Sequence, residues 1–175
     1  MIFRTAALIV SAAIAMTACQ DRPTAPRTLS ASNGVADRST GDTPNYNLEL
    51  ILRPAGTGDG FGHVKFRQDG NDGVQRIDLG VWVRDLEPGT EYLLQRAVDA
   101  NLDGVCTGTN WLTLGEGPVP QSITTDDRGS AKQDLFRVVL NPPGSTFDII
   151  QRIIRKGDAT MHAVLISDCF QFSVR

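Results

Sequence analysis

The chain has 175 residues, with 17 Lys and Arg against 20 Asp and Glu, two His, three Cys and a formal net charge of −3. Both signs are interspersed and no Lys/Arg cluster occurs, which removes nucleic acid as a partner. Hydrophobic residues make up 41% of the chain, enough for one real core in a domain of ordinary size.

The first residues, "MIFRTAALIVSAAIAMTACQ", carry one cation at Arg4, an apolar run from Ala6 to Met16, and small residues before Cys19. This is the plan of a secretory signal peptide over residues 1–18, too short to serve as a permanent membrane span. "Met16-Thr17-Ala18-Cys19" resembles the lipobox of bacterial lipoproteins, with Met16 in place of the usual leucine. The resemblance implies acylation at Cys19, palmitate among the acyl chains, and a membrane anchor; two or more chains hold stably where one does not. Gln20, where an aspartate would signal inner-membrane retention, points by the same resemblance to the outer membrane of the cell envelope. From Cys19 to Asn45 the chain is rich in Pro, Ser, Thr, Ala and Asp, and reads as a flexible tether.

Residues 46–175 then read as a single domain. "YNLELILR" sets Leu48, Leu50 and Leu52 on one face and stops at "PAGTGDG"; "GHVKFRQ" opposes Val64 and Phe66 to His63, Lys65 and Arg67; "DGNDG" is a hairpin turn. "RIDLGVWVRDL" alternates Ile77, Leu79, Val81 and Val83 inward with Asp78, Gly80, Trp82 and Arg84 outward. "TEYLLQRAV", "WLTL", "QSITT", "AKQDLFRVVL" and the C-terminal "HAVLISDCFQFSV" continue the pattern of short strands and turns. One segment departs from it: "STFDIIQRIIRKG" has Phe147, Ile150 and Ile154 at helical spacing, Ser145 as a cap and a basic, glycine-terminated end, which predicts a short helix near 146–156. The expectation is an all-β, antiparallel Greek-key β-sandwich carrying that one helix. Export places Cys106 and Cys169 in an oxidising compartment, where they read as one disulfide, with two free thiols as the alternative.

"DLEPGTEY", Asp85 to Tyr92, resembles the corner of fibronectin type III domains, in which the tyrosine hydroxyl reaches back to upstream backbone and locks a turn between sheets. A longer series, glycine before "HVKF", then "LEPG", "DANLDGVC", "TTDDRG" and a late cysteine, is similar to copper/zinc superoxide dismutase and to chordin-type (CHRD) sandwiches. That resemblance implies the same Cys106–Cys169 pairing. It also implies a scaffold without the enzyme's chemistry: Tyr92 to Gln95 stand where the dismutase has its histidine pair, and His63 and His162 are the only histidines.

Two constellations remain as candidate sites. Asp99, Asn101 and Asp103 with Gly104 match the first half of a calcium loop, although Asn110 stands where its bidentate glutamate would be; an Asx-type turn is the plainer reading. His63, Lys65, Arg67, Trp82 and Arg84 would share an outer face if their strands pair, offering a protein or glycan partner a stacking and charged surface; a merely solvated face is the plainer reading. Ser122, Ser130, Ser145 and Ser167 lack a nucleophile elbow, and the carboxylates Asp126 with Asp127 and Asp69 with Asp72 fall in turns. The expectation is therefore a lipid-anchored, non-enzymatic binding or structural module, with a diverged enzyme on a dismutase-like scaffold or a calcium-stabilised adhesion module as alternatives.

Overall fold

A computed structural model describes residues 46–68 and 75–175; the signal peptide, Cys19, the tether and the "DGNDG" turn lie outside them. Twelve strands are present among the described residues: β1 (Tyr46–Pro54), β2 (Phe61–Gln68), β3 (Arg76–Arg84), β4 (Glu91–Asp99), β5 (Leu112–Thr113), β6 (Gly115–Glu116), β7 (Val119–Pro120), β8 (Ser122–Thr124), β9 (Ala131–Val138), β10 (Thr146–Arg155), β11 (Ala163–Ser167) and β12 (Phe170–Ser173). The period-two apolar pattern does what it should. Val64 and Phe66 of β2 and Ile77, Leu79, Val81 and Val83 of β3 are buried, while Lys65, Arg67, Trp82 and Arg84 face out.

All strands join one mostly antiparallel sheet in the order β5-β4-β10-β11-β1-β2-β3-β9-β6-β7, with β8 on β4 and β12 on β10. The sheet curls until it is nearly closed. Leu112 and Thr113 pair with β4, and three residues later Glu116 pairs with Phe136 of β9, so one short stretch links the first and last long strands. The two layers expected of a sandwich are thus opposite walls of one wrapped sheet. Leu50, Leu52, Val64, Leu79, Val81, Leu94, Leu135, Ile153, Leu165 and Phe172 fill the space between them. Each such side chain contributes roughly 1.5–3 kcal/mol by leaving water.

The corner between β3 and β4 is locked as its sequence suggests. The backbone N–H of Glu87 donates to the Tyr92 hydroxyl at 3.1 Å, and Tyr92 is otherwise buried in the core. The "TTDDRG" turn docks onto the same corner: Leu86 N–H donates to Gly129 O at 3.1 Å, Gly89 N–H to Asp126 O at 3.2 Å, and the Thr125 hydroxyl to Glu87 O at 2.7 Å. Gly129 has φ +74°, and a Cβ there would stand 2.0 Å from Leu86 O, so no side chain fits.

The helix expected near 146–156 is not formed; those residues are β10. Asp148 to Arg155 pair residue by residue with β4 on one side, and β11 and β12 take the other. Helical spacing arises because this strand is covered on both faces. Ile149 and Ile153 point into the barrel, while Asp148 and Ile154 are buried on the opposite face, so apolar side chains occur at both parities. Four isoleucines, stiff at χ1, suit a central strand better than a helix, and a helix would have buried only one stripe of them.

Candidate functional site

Cys106 and Cys169 form a disulfide, Cα to Cα 5.4 Å, which fastens the loop after β4 to the junction of β11 and β12. That loop holds Asp99, Asn101 and Asp103, and each carboxylate closes its own turn. Asp99 accepts the Asn101 N–H at 3.1 Å through one oxygen and, through the other, the Thr107 N–H at 3.1 Å and hydroxyl at 2.7 Å. The Thr107 hydroxyl foremost, then the Asn101 and Thr107 N–H groups, hold Asp99 below the usual carboxylate range. Asp103 accepts the Val105 N–H at 2.9 Å. Among the described residues, no group of three or more His, Cys, Asp or Glu side chains is placed to hold a metal ion.

A residue that the sequence reading assigned to the helix matters here. Asp148 lies directly opposite Asp99 across β10 and β4, is 1% exposed, and accepts the Gly104 N–H at 2.8 Å. The loop therefore caps the outer face of the β4–β10 wall. On the same face Arg152 donates to Gln95 Oε1 at 2.8 Å, and its guanidinium sits 3.9 Å above the Trp111 ring.

The second constellation does assemble. His63 pairs with Trp82, Lys65 with Gly80 and Arg67 with Asp78 across β2 and β3. Trp82, 41% exposed, meets Phe61 edge to face at 5.8 Å, and Arg84 lies 5.0 Å from the Phe61 ring. Its charges are paired: Glu49 lies 3.3 Å from the Lys65 ammonium and 3.4 Å from His63 Nε2, and Asp85 takes Arg84 at 3.6 Å. This is a largely neutralised, solvated face with an aromatic centre.

A third place went unnoticed in the sequence. At the end of the barrel where β4 and β9 finish and β10 begins, a cavity of about 330 Å³ opens between the walls. Phe66, Ile77, Leu79, Leu114, Phe147, Ile149 and Phe172 give it an apolar surface, and Arg96 and Arg137 project into it with Asn141 near the mouth. Arg96 follows from the alternation of β4, in which Tyr92 and Leu94 point inward; Arg137 follows from Leu135 two residues before it in β9. That alternation was the available signal. Arg137 donates to Gly117 O at 3.3 Å. Arg96 has no hydrogen-bond or ion-pair partner among the described residues; burial, and then the nearby Arg137 charge, lower its pKa from the ordinary arginine value. No carboxylate is among the described residues that line the cavity. Across the strand pair from Arg96, Gln151 is fully buried with neither amide atom hydrogen-bonded.

The Thr160 hydroxyl donates its only proton to Asp158, so its 2.9 Å contact with His162 Nδ1 has the imidazole donating. No family model matches the chain, and no curated protein or solved structure matches it either.

Proposed function

We propose that this protein is a lipid-anchored protein of the cell envelope whose β domain is a non-catalytic binding module, with the ligand site in the arginine-bearing end of the barrel. One observation carries the binding reading. A cavity of about 330 Å³, within the usual range for small-molecule sites, has apolar walls and a few convergent polar groups, one of them a guanidinium with no hydrogen-bond or ion-pair partner among the described residues. A fold closed only for its own stability would fill that space with another Leu or Phe, as it does at Leu94 and Leu135. The lining offers apolar contact, two fixed cations and an amide, a set that can hold and orient a ligand. The usual nucleophiles and acid–base groups, Ser, Thr, Cys, His, Lys, Tyr or a carboxylate, are not among the described residues that line it.

The anchor reading rests on the lipobox-like residues ending at Cys19 and on the low-complexity stretch that follows. It places the module on a tether at the membrane, the outer membrane by preference.

The binding reading is tested by titrating the full chain with 1-naphthol, an uncharged probe of fitting size, and following probe fluorescence. Saturable binding in the wild type and its loss in Val98→Trp, which fills the cavity from β4, are expected; absence of saturable binding would overturn the reading. The anchor is tested by feeding cells an alkyne-tagged palmitate, with label expected on the wild type and none on Cys19→Ser.

A further inference from the structure

We infer that the barrel-end cavity takes a small amphipathic monoanion, an alkyl or aryl carboxylate of about ten non-hydrogen atoms, with its carboxylate on Arg96 and Arg137 and its apolar body against Phe66, Leu114, Phe147 and Phe172. The inference rests on the binding-module reading and names the ligand class for the same site.

Charge comes first. Two guanidiniums enter one partly desolvated space from β4 and β9, and no carboxylate faces them among the described lining residues. Elsewhere among the described residues cations do meet carboxylates: Glu49 for Lys65, Glu87 for Arg155 and Glu91 for Lys156. Holding like charges together with no carboxylate among the described lining residues costs stability, and an entering anion removes that cost with charge-assisted hydrogen bonds. The planar fork of arginine suits a carboxylate in particular. Arg137 donates one of its five N–H groups to Gly117 O and keeps its charge and its remaining donors for a ligand.

The walls decide the rest of the ligand. Inorganic phosphate or acetate would satisfy the arginines and leave the four aromatic and leucine surfaces in water. At roughly 30 Å³ for each water-sized group, about 330 Å³ holds on the order of ten non-hydrogen atoms, the size of octanoate or a naphthoate.

The test is isothermal titration calorimetry of the full chain with octanoate, octan-1-ol, octylammonium and acetate, with titrations into protein-free buffer subtracted. Octanoate is expected to bind at least tenfold more tightly than octan-1-ol, with octylammonium and acetate weaker than both. In Arg96→Gln and in Arg137→Gln, octanoate affinity should fall to that of octan-1-ol while octan-1-ol affinity holds, and Arg96→Lys should recover part of the difference. Equal affinity of the wild type for octanoate and octan-1-ol would overturn this inference and leave the binding module standing. No binding of either would overturn both. The wild-type comparison decides the matter even where a variant fails to fold.

Discussion

Removing the disulfide, by Cys106→Ala with Cys169→Ala, should cost stability without touching ligand affinity. The crosslink spans 63 residues, and in the chain-entropy model closing a loop of that length restricts the unfolded ensemble by roughly 4 kcal/mol. A domain of this size has about 5–15 kcal/mol in all, so the variant stays folded in buffer but with a large part of its margin gone. The native contacts of the loop, Gly104 N–H on Asp148 and Thr107 on Asp99, keep it docked once the bond is gone. The loop covers the outside of the β4–β10 wall, whereas Arg96 and Val98 face the inside, so the cavity keeps its shape. Urea unfolding followed by tryptophan fluorescence measures the first effect: a midpoint lowered by the equivalent of roughly 3–4 kcal/mol, with a slope no smaller than the wild type's. Calorimetry of octanoate on the folded variant measures the second, with affinity within twofold of the wild type. A stability loss below about 1 kcal/mol would refute the entropic account, since it would mean the loop is already held closed in the unfolded chain. An affinity loss of tenfold would show that the loop shapes the cavity after all.

Three further outcomes follow from the same geometry. Gly129→Ala should destabilise by about 2–3 kcal/mol, from the left-handed backbone and the lost Leu86 to Gly129 hydrogen bond, and a loss under about 1 kcal/mol would contradict the docking of the two turns. Tyr92→Phe leaves the Glu87 N–H without its acceptor and should cost about 1–3 kcal/mol in the same assay, with the far-ultraviolet circular dichroism unchanged. Asp99, Asp126 and Asp158 are held below the usual carboxylate range, by the Thr107 hydroxyl, the Ser130 N–H and the Thr160 hydroxyl first in each case, and Glu91 by Lys156. Depressed folded-state values mean that their stabilisation is present above the unfolded values near 4 and is lost as pH falls through the folded ones, so the urea midpoint should be level from neutral pH to about 5 and decline below about 4.

The parts of this fold that can be read from the sequence are those with one wet face. In β2 and β3 every second side chain is apolar because only one side meets the core, and their partners follow from the pattern. The corner is legible because Pro88, Gly89 and Tyr92 carry its geometry locally, and the hydroxyl bond to Glu87 confirms it. Pairing of Cys106 with Cys169 is legible from count, since they are the two cysteines of the domain, together with the expectation of export. β10 is not, because cover on both faces erases the period of two and leaves Phe147, Ile150 and Ile154 to imitate a helix. The loop residues Asp99 and Asp103 are legible as turn formers, but Asp148, their buried companion, needs the β4–β10 register to be seen at all. The arginines of the cavity lie between these cases. Alternation in β4 and β9 points Arg96 and Arg137 inward, yet a charged residue at an inward position looks like an error in strand phase until the open end of the barrel is known.

The most direct test of the account is a heteronuclear NMR titration of the full chain with octanoate, following arginine side-chain Nε–H resonances. The account predicts saturable shifts of Arg96 and Arg137 together with the methyl groups of Leu114 and Ile149, and a quiet outer face at Trp82 and Arg84. Shifts confined to Trp82, Arg84 and His63, or no saturable shift at the two inward arginines, would contradict it.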